Sequence, residues 1–160
     1  MMSHHLRLGL LVSGLLVFGV LNTLVYQKEN LLATGQSMLL ELAPVDPRSL
    51  MQGDYMVLRY ALILKLEVEP DLPSEGAVIV RADPDGVAQW VRLDRGEPLA
   101  EGERRLNFKR RDAFRLGAES FFFEEGKADH FANARYGELK VTPSGQSLLV
   151  GLRDEKRQPL

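Results

Sequence analysis

The hydrophobic pattern divides the chain in two. From Leu8 to Tyr26 (LGLLVSGLLVFGVLNTLVY) 19 residues run without a charge, and only Ser13, Asn22 and Thr23 interrupt an apolar surface that continues all the way round a helix. Such a helix is about 28 Å long, the thickness of a bilayer's hydrocarbon core. A helix buried in a soluble protein would keep a polar stripe, and this one has none. Residues 27–35 (QKENLLATG) read as a short continuation of the helix that Gly35 stops. Beyond Gly35 the period changes to two. Met38, Leu40 and Leu42 alternate with Leu39, Glu41 and Ala43, a strand with one face more buried than the other, closed by Pro44. In Tyr55–Val68 (YMVLRYALILKLEV) every even position is apolar while Arg59, Lys65 and Glu67 occupy odd ones. This predicts one long, twisted strand bending near Ala61, with Leu62, Leu64 and Leu66 on its buried face and Lys65 and Glu67 opposite.

A turn-rich connection over Glu69–Gly76 leads to a short strand at Ala77–Ala82. Asp83-Pro-Asp-Gly86 is a strong turn signal, and Val87–Leu93, which contains Trp90, is its hairpin partner. Residues 94–115 carry Arg104, Arg105, Lys109, Arg110, Arg111 and Arg115 against Glu101, Glu103 and Asp112, which reads as a solvated hairpin in preference to a lipid-binding patch. Phe121–Phe123 reads as core. Ala128, Phe131 and Ala132 sit at i, i+3, i+4 within Lys127–Tyr136 and predict a short amphipathic helix capped by Gly137. Glu138–Thr142, a turn at Pro143–Gly145 and Ser147–Leu152, with Leu148, Val150 and Leu152 alternating, complete the count. The fold class expected is mainly β, a small barrel or sandwich of seven or eight strands with one short late helix, plus one N-terminal transmembrane helix. The expected organisation is a cytoplasmic tail over 1–7, an anchor over 8–26, a juxtamembrane linker over 27–36 and an extracytoplasmic β-rich domain over 37–160.

Composition narrows the function classes. With 45% hydrophobic and 26% charged residues in 160, the chain can pack one ordinary domain, and its net charge of −2 argues against nucleic acid as a partner. Cysteine is absent, which removes disulfides, thiolate metal sites and cysteine nucleophiles. His130 is the one histidine outside the N-terminal tail, and no Asp/Glu-rich loop suits calcium, so neither a metal nor a cofactor is expected. Ala33 and Gly35 form a small-x-small pair of the kind a signal peptidase cleaves. The apolar run is longer than a signal's and Lys28 and Glu29 precede the pair, so an uncleaved anchor is favoured. His4, His5 and Arg7 in the short tail, against Lys28 and Glu29 on the other side, set the tail in the cytoplasm and the domain outside it. Small residues at Gly9 and Ser13 do not by themselves specify a helix partner.

The residues between the first two predicted strands carry a motif. Gly53-Asp54-Tyr55-x-x-Leu58-x-Tyr60 follows Pro44, Asp46, Pro47 and Arg48, and Glu125-Gly126 and Ala134-Arg135-Tyr136-Gly137 stand later in the chain. Together with the single N-terminal anchor these resemble the bacterial GDYXXLXY proteins over essentially the whole chain. The resemblance implies a membrane-anchored envelope protein and brings no assigned activity. Two readings of the motif follow. As scaffold, Pro44 and Pro47 fix φ, Asp46 forms an Asx-turn, Gly53 takes positive φ, Asp54 accepts backbone N–H groups, and Met56, Leu58 and Tyr60 point into the core, leaving Arg48 and Arg59 without a role. As surface, Arg48, Asp54, Tyr55 and Arg59 meet a partner protein, since Arg and Tyr dominate binding hot spots. The candidate surface comprises Asp46, Arg48, Gly53, Asp54, Tyr55, Arg59, Tyr60, Glu125, Arg135 and Tyr136. No catalytic residue is assigned. Leu50-x-x-Gly53-Asp54 faintly resembles the signal-peptidase box, but Val45 fills the place of its serine, so the serine–lysine mechanism has no nucleophile even with Lys109 as base, and Ser49 matches only a non-catalytic hydroxyl. The function expected is a non-catalytic accessory module of the bacterial envelope, partnered by the membrane and a polytopic membrane protein; the alternative is an envelope enzyme or small-ligand carrier.

Overall fold

The computed structural model describes residues 4–43, 51–52, 55–70, 72–117 and 119–160. It forms two compact units, residues 1–34 and Gly35–Leu160. The first is one helix, α1 (His4–Thr34), ending directly before Gly35. Its segment Leu8–Thr34 is long and apolar enough to cross a membrane. The polar side chains inside it turn back on the helix: Ser13 Oγ donates to Gly9 O at 2.7 Å, Asn22 Nδ2 to Phe18 O at 2.8 Å and Thr23 Oγ1 to Gly19 O at 2.8 Å. Bonds of this kind spare hydroxyl and amide groups an unpaired exposure in an apolar medium.

The second unit is mainly β, as expected. Its described elements are β1 (Gln36–Glu41), β2 (Met51–Gln52), β3 (Tyr55–Val57), α2 (Ala61–Val68), β4 (Glu75–Ala82), β5 (Ala88–Leu93), β6 (Glu103–Arg110), β7 (Phe114–Arg115), β8 (Ser120–Phe122), α3 (Ala128–Phe131), β9 (Tyr136–Val141) and β10 (Ser147–Arg153). They assemble as three antiparallel sheets, ordered β1-β9-β10, β2-β3-β8 and β5-β4-β6-β7. Met38 and Leu40 of β1, Val78 and Val80 of β4, Leu106 and Phe108 of β6, and Leu139 and Val141 of β9 alternate inward and share one core.

The long strand over Tyr55–Val68 is not formed. The chain is extended through Val57, and Tyr60, at φ −88° and ψ 140°, opens α2. The apolar run never alternated cleanly, because Val57 and Ile63 occupy odd positions, and 62, 63 and 66 satisfy a helical face as well as 62, 64 and 66 satisfy a strand. Ala, Leu, Lys and Glu favour helix, and the core takes Leu62, Ile63 and Leu66 while Leu64 stays 40% exposed. Pro70 follows the C-cap Glu69, whose N–H donates to Leu66 O at 3.3 Å.

Two smaller departures have equally local causes. The late helix shortens to the single turn of α3, and Gly137, expected as its cap, lies inside β9. In β10 a bulge at Val150 breaks the alternation. Leu149 pairs with Leu139, Gly151 pairs with Glu138, and the skipped Val150 turns outward while Leu149 and Leu152 pack inward. The Asp83 turn forms as read, its carboxylate accepting the N–H groups of Asp85 and Val87 at 3.0 and 2.9 Å and Gln89 Nε2 at 3.1 Å. The Val87 bond, chief among these, holds the Asp83 carboxyl below its ordinary pKa.

Candidate functional site

The described part of the motif separates by side. Met56, Leu58 and Tyr60 are buried, while Tyr55 is half-buried and Val57 exposed on the opposite side of β3. β8 continues that division across the sheet. Tyr55 stands opposite Phe122 with ring centroids 5.6 Å apart, Val57 stands opposite Ser120, and Phe122 is 73% exposed. Met56 stands opposite Phe121, whose ring meets Phe131 of α3 at 5.0 Å, and Phe123 meets the same ring at 5.3 Å. The Phe121–Phe123 run, read as core throughout, therefore puts its outer two rings inside and its middle ring in solvent, as strand alternation requires.

Tyr60 is the deepest residue of the motif, with no solvent exposure. Its backbone is held beside β1, where it bridges Leu42 and where Ala43 N–H donates to Arg59 O at 2.7 Å. Its ring lies over Gly137: a β-carbon at position 137 would stand 3.0 Å from Tyr60 Cε1 and 3.2 Å from its hydroxyl oxygen. The glycine that closes Ala134-Arg135-Tyr136-Gly137 is thus the seat of the tyrosine that closes GDYXXLXY. Burial raises the Tyr60 hydroxyl's pKa above its ordinary value, and the nearby Glu119 carboxylate adds to the rise. Glu119 in turn accepts the N–H groups of Leu116 and Gly117.

The unfolded Tyr60 hydroxyl ionises near pH 10 and the folded one only above that, so above pH 10 the folded chain holds the extra proton. Stability therefore falls as pH rises past about 10. Tyr60→Phe is expected to remove that part of the alkaline slope, read as the wild-type minus variant difference in denaturant midpoint between about pH 8 and 11.

The remaining candidates are distributed. Arg59 is exposed and its Nη2 meets Glu67 Oε2 of α2 at 2.9 Å. Arg135 contributes chiefly backbone, its N–H donating to Arg153 O and its carbonyl accepting Leu42 N–H, both at 2.8 Å, which ties the ends of β1 and β10 together. Tyr136 is half-buried at the start of β9, opposite Glu41 and Arg153. Glu125 is exposed in the turn before α3, apart from the motif strand. Asp46, Arg48, Gly53 and Asp54 lie outside the described residues. A shallow cavity of about 330 Å³ beside Trp90, Arg92, Arg95 and Glu97 has no motif residue in its lining. Among the described residues no group of three His, Cys, Asp or Glu side chains is arranged to hold a metal ion.

The family model for the GDYXXLXY protein matches residues 17–152. The chain belongs to the GDYXXLXY family. That match covers α1 from Val17 onward, the motif and every strand of the β domain up to Leu152 in β10. No curated protein and no solved structure matches the chain. For this GDYXXLXY protein the motif is thus divided work: Leu58 and Tyr60 build the core, and Tyr55, with the Val57 and Phe122 that the periodicity did not single out, forms a small exposed apolar face. Val57 occupies one of the unspecified positions of the motif, and Phe122 was hidden inside an apolar triplet, so neither carried a signal of its own.

Proposed function

We propose that this GDYXXLXY protein is a non-catalytic accessory module, anchored in the cytoplasmic membrane by α1 with its β domain on the extracytoplasmic side, that engages a polytopic membrane protein. The observation that supports it is the outward face of β3 and β8, where Val57 and the 73%-exposed Phe122 stand beside Tyr55, whose ring is tilted against that of Phe122. Aromatic side chains held rigidly on strands at the surface are the type that anchors protein interfaces. Arg59, two residues beyond β3 and already paired with Glu67, fits the polar rim of such a surface.

A photo-crosslinking side chain at position 122 is expected to capture a membrane protein in native membranes, and the same group at exposed Gln89 of β5 to capture none. Adding Tyr55→Ser and Val57→Ser should abolish the capture with little change in the melting temperature. Equal capture from positions 122 and 89 would remove the interaction reading. The anchor and its orientation are tested separately: the full-length chain should resist carbonate extraction, and a reporter fused after Leu160 should be active only in the form that requires export.

A further inference from the structure

The structure changes the reading of the basic stretch. Arg105, on β6, is committed to Asp94 at 2.6 Å. Arg104 lies near the start of the same strand, opposite Val80, and the other four concentrate where β6 turns into β7. Lys109 stands opposite Arg115, and Arg110 opposite Phe114. Lys109–Arg115 therefore holds four cations against the one anion Asp112, a net of +3 on seven residues in a chain whose total is −2. Arg110 is pinned to the domain, donating to Leu72 O at 3.1 Å with its guanidinium 5.3 Å from the Phe114 ring centre. Lys109 reaches Glu75 only at 3.5 Å, with both side chains at least 70% exposed. Arg111 and Arg115 are exposed and make no ion pair among the described residues. The hairpin's charge is thus fixed in place by the buried Phe114 and left unneutralised at the surface.

We propose that this hairpin is a docking surface for the anionic headgroups of the bilayer that holds α1, a proposal that rests on the anchor reading. Two facts select a lipid surface. The charge is complementary to it, and a single residue, Gly35, separates the end of α1 from the first strand. A domain of this length has a radius of gyration of about 14 Å, so the tether keeps the hairpin within a few tens of ångströms of headgroups. At that effective concentration a few weak charge contacts suffice to hold the domain down.

The full chain, reconstituted in vesicles of phosphatidylcholine alone or with a third of phosphatidylglycerol, tests this by hydrogen exchange across residues 106–116. Both leaflets have one composition, so either insertion orientation reports. Amides of 109–115 are expected to exchange on the order of tenfold more slowly in the anionic vesicles. The protection should vanish in about 0.5 M salt, where screening is confined to a few ångströms. It should also vanish in the K109Q/R111Q/R115Q variant, whose melting temperature should match the wild type. Equal exchange in the two lipids, or protection that survives the triple substitution, overturns the proposal. If the wild-type chain fails to float with neutral vesicles, the anchor reading fails, and the docking proposal falls with it.

Discussion

Tyr60→Ala is expected to lower the stability of the β domain by about 3–5 kcal/mol, the range for deleting a large buried ring. The side chain is completely buried in the core it shares with Met38 and Leu40 of β1, Leu139 of β9 and Leu66 of α2. The cavity cannot collapse easily, because the backbone on both sides of the ring is fixed by the Leu42–Tyr60 bridge and by the central strand β9. Gly137→Ala acts on the same contact from the other side. Its methyl would stand 3.0 Å from Tyr60 Cε1 and 3.3 Å from Leu149 Cδ1, so the ring must shift, at a cost of about 1–3 kcal/mol. The decisive measurement is the double variant: denaturant unfolding of the full chain in detergent should show Tyr60→Leu with Gly137→Ala losing less than the two single losses added together. Strict additivity would mean that the glycine serves β9 alone and that the two ends of the sequence pattern do not meet.

Leu66→Ala should cost about 2–5 kcal/mol and Leu64→Ala less than about 1 kcal/mol. Leu66 has no exposure in α2, whereas Leu64 is 40% exposed. A strand would place both on one face and make the two losses equal, so this pair of melts separates helix from strand without further structural work. A companion substitution sharpens it. Ile63→Ala should be costly, because Ile63 is 4% exposed beside Leu62, whereas the strand pattern would turn it outward with Lys65 and Glu67. Equal and large losses at 64 and 66 with a neutral change at 63 would restore the strand.

The chain's own pattern determined what depends on neighbours close in sequence. The charge-free run gave α1, because an apolar surface that continues all the way round a helix is legible whatever follows it in the chain. Period-two alternation gave β1, turn signals marked out β4, β5 and β9, and the Asp83-Pro-Asp-Gly86 turn needed no partner beyond its own carboxylate. The family followed from eight positions and a few flanking residues. Tertiary structure decided three things that local pattern leaves degenerate. It chose helix over strand for Ala61–Val68, where both place apolar residues inward and only the shape of the core against β1 and β7 separates them. It set Val150 aside as a bulge, which turns on pairing with Leu139 and Glu138 in another strand. And it joined Tyr60 to Gly137, whose missing side chain is legible in the sequence as a turn or cap but whose purpose, leaving room for a ring from 77 residues earlier, exists only once β9 packs beneath it.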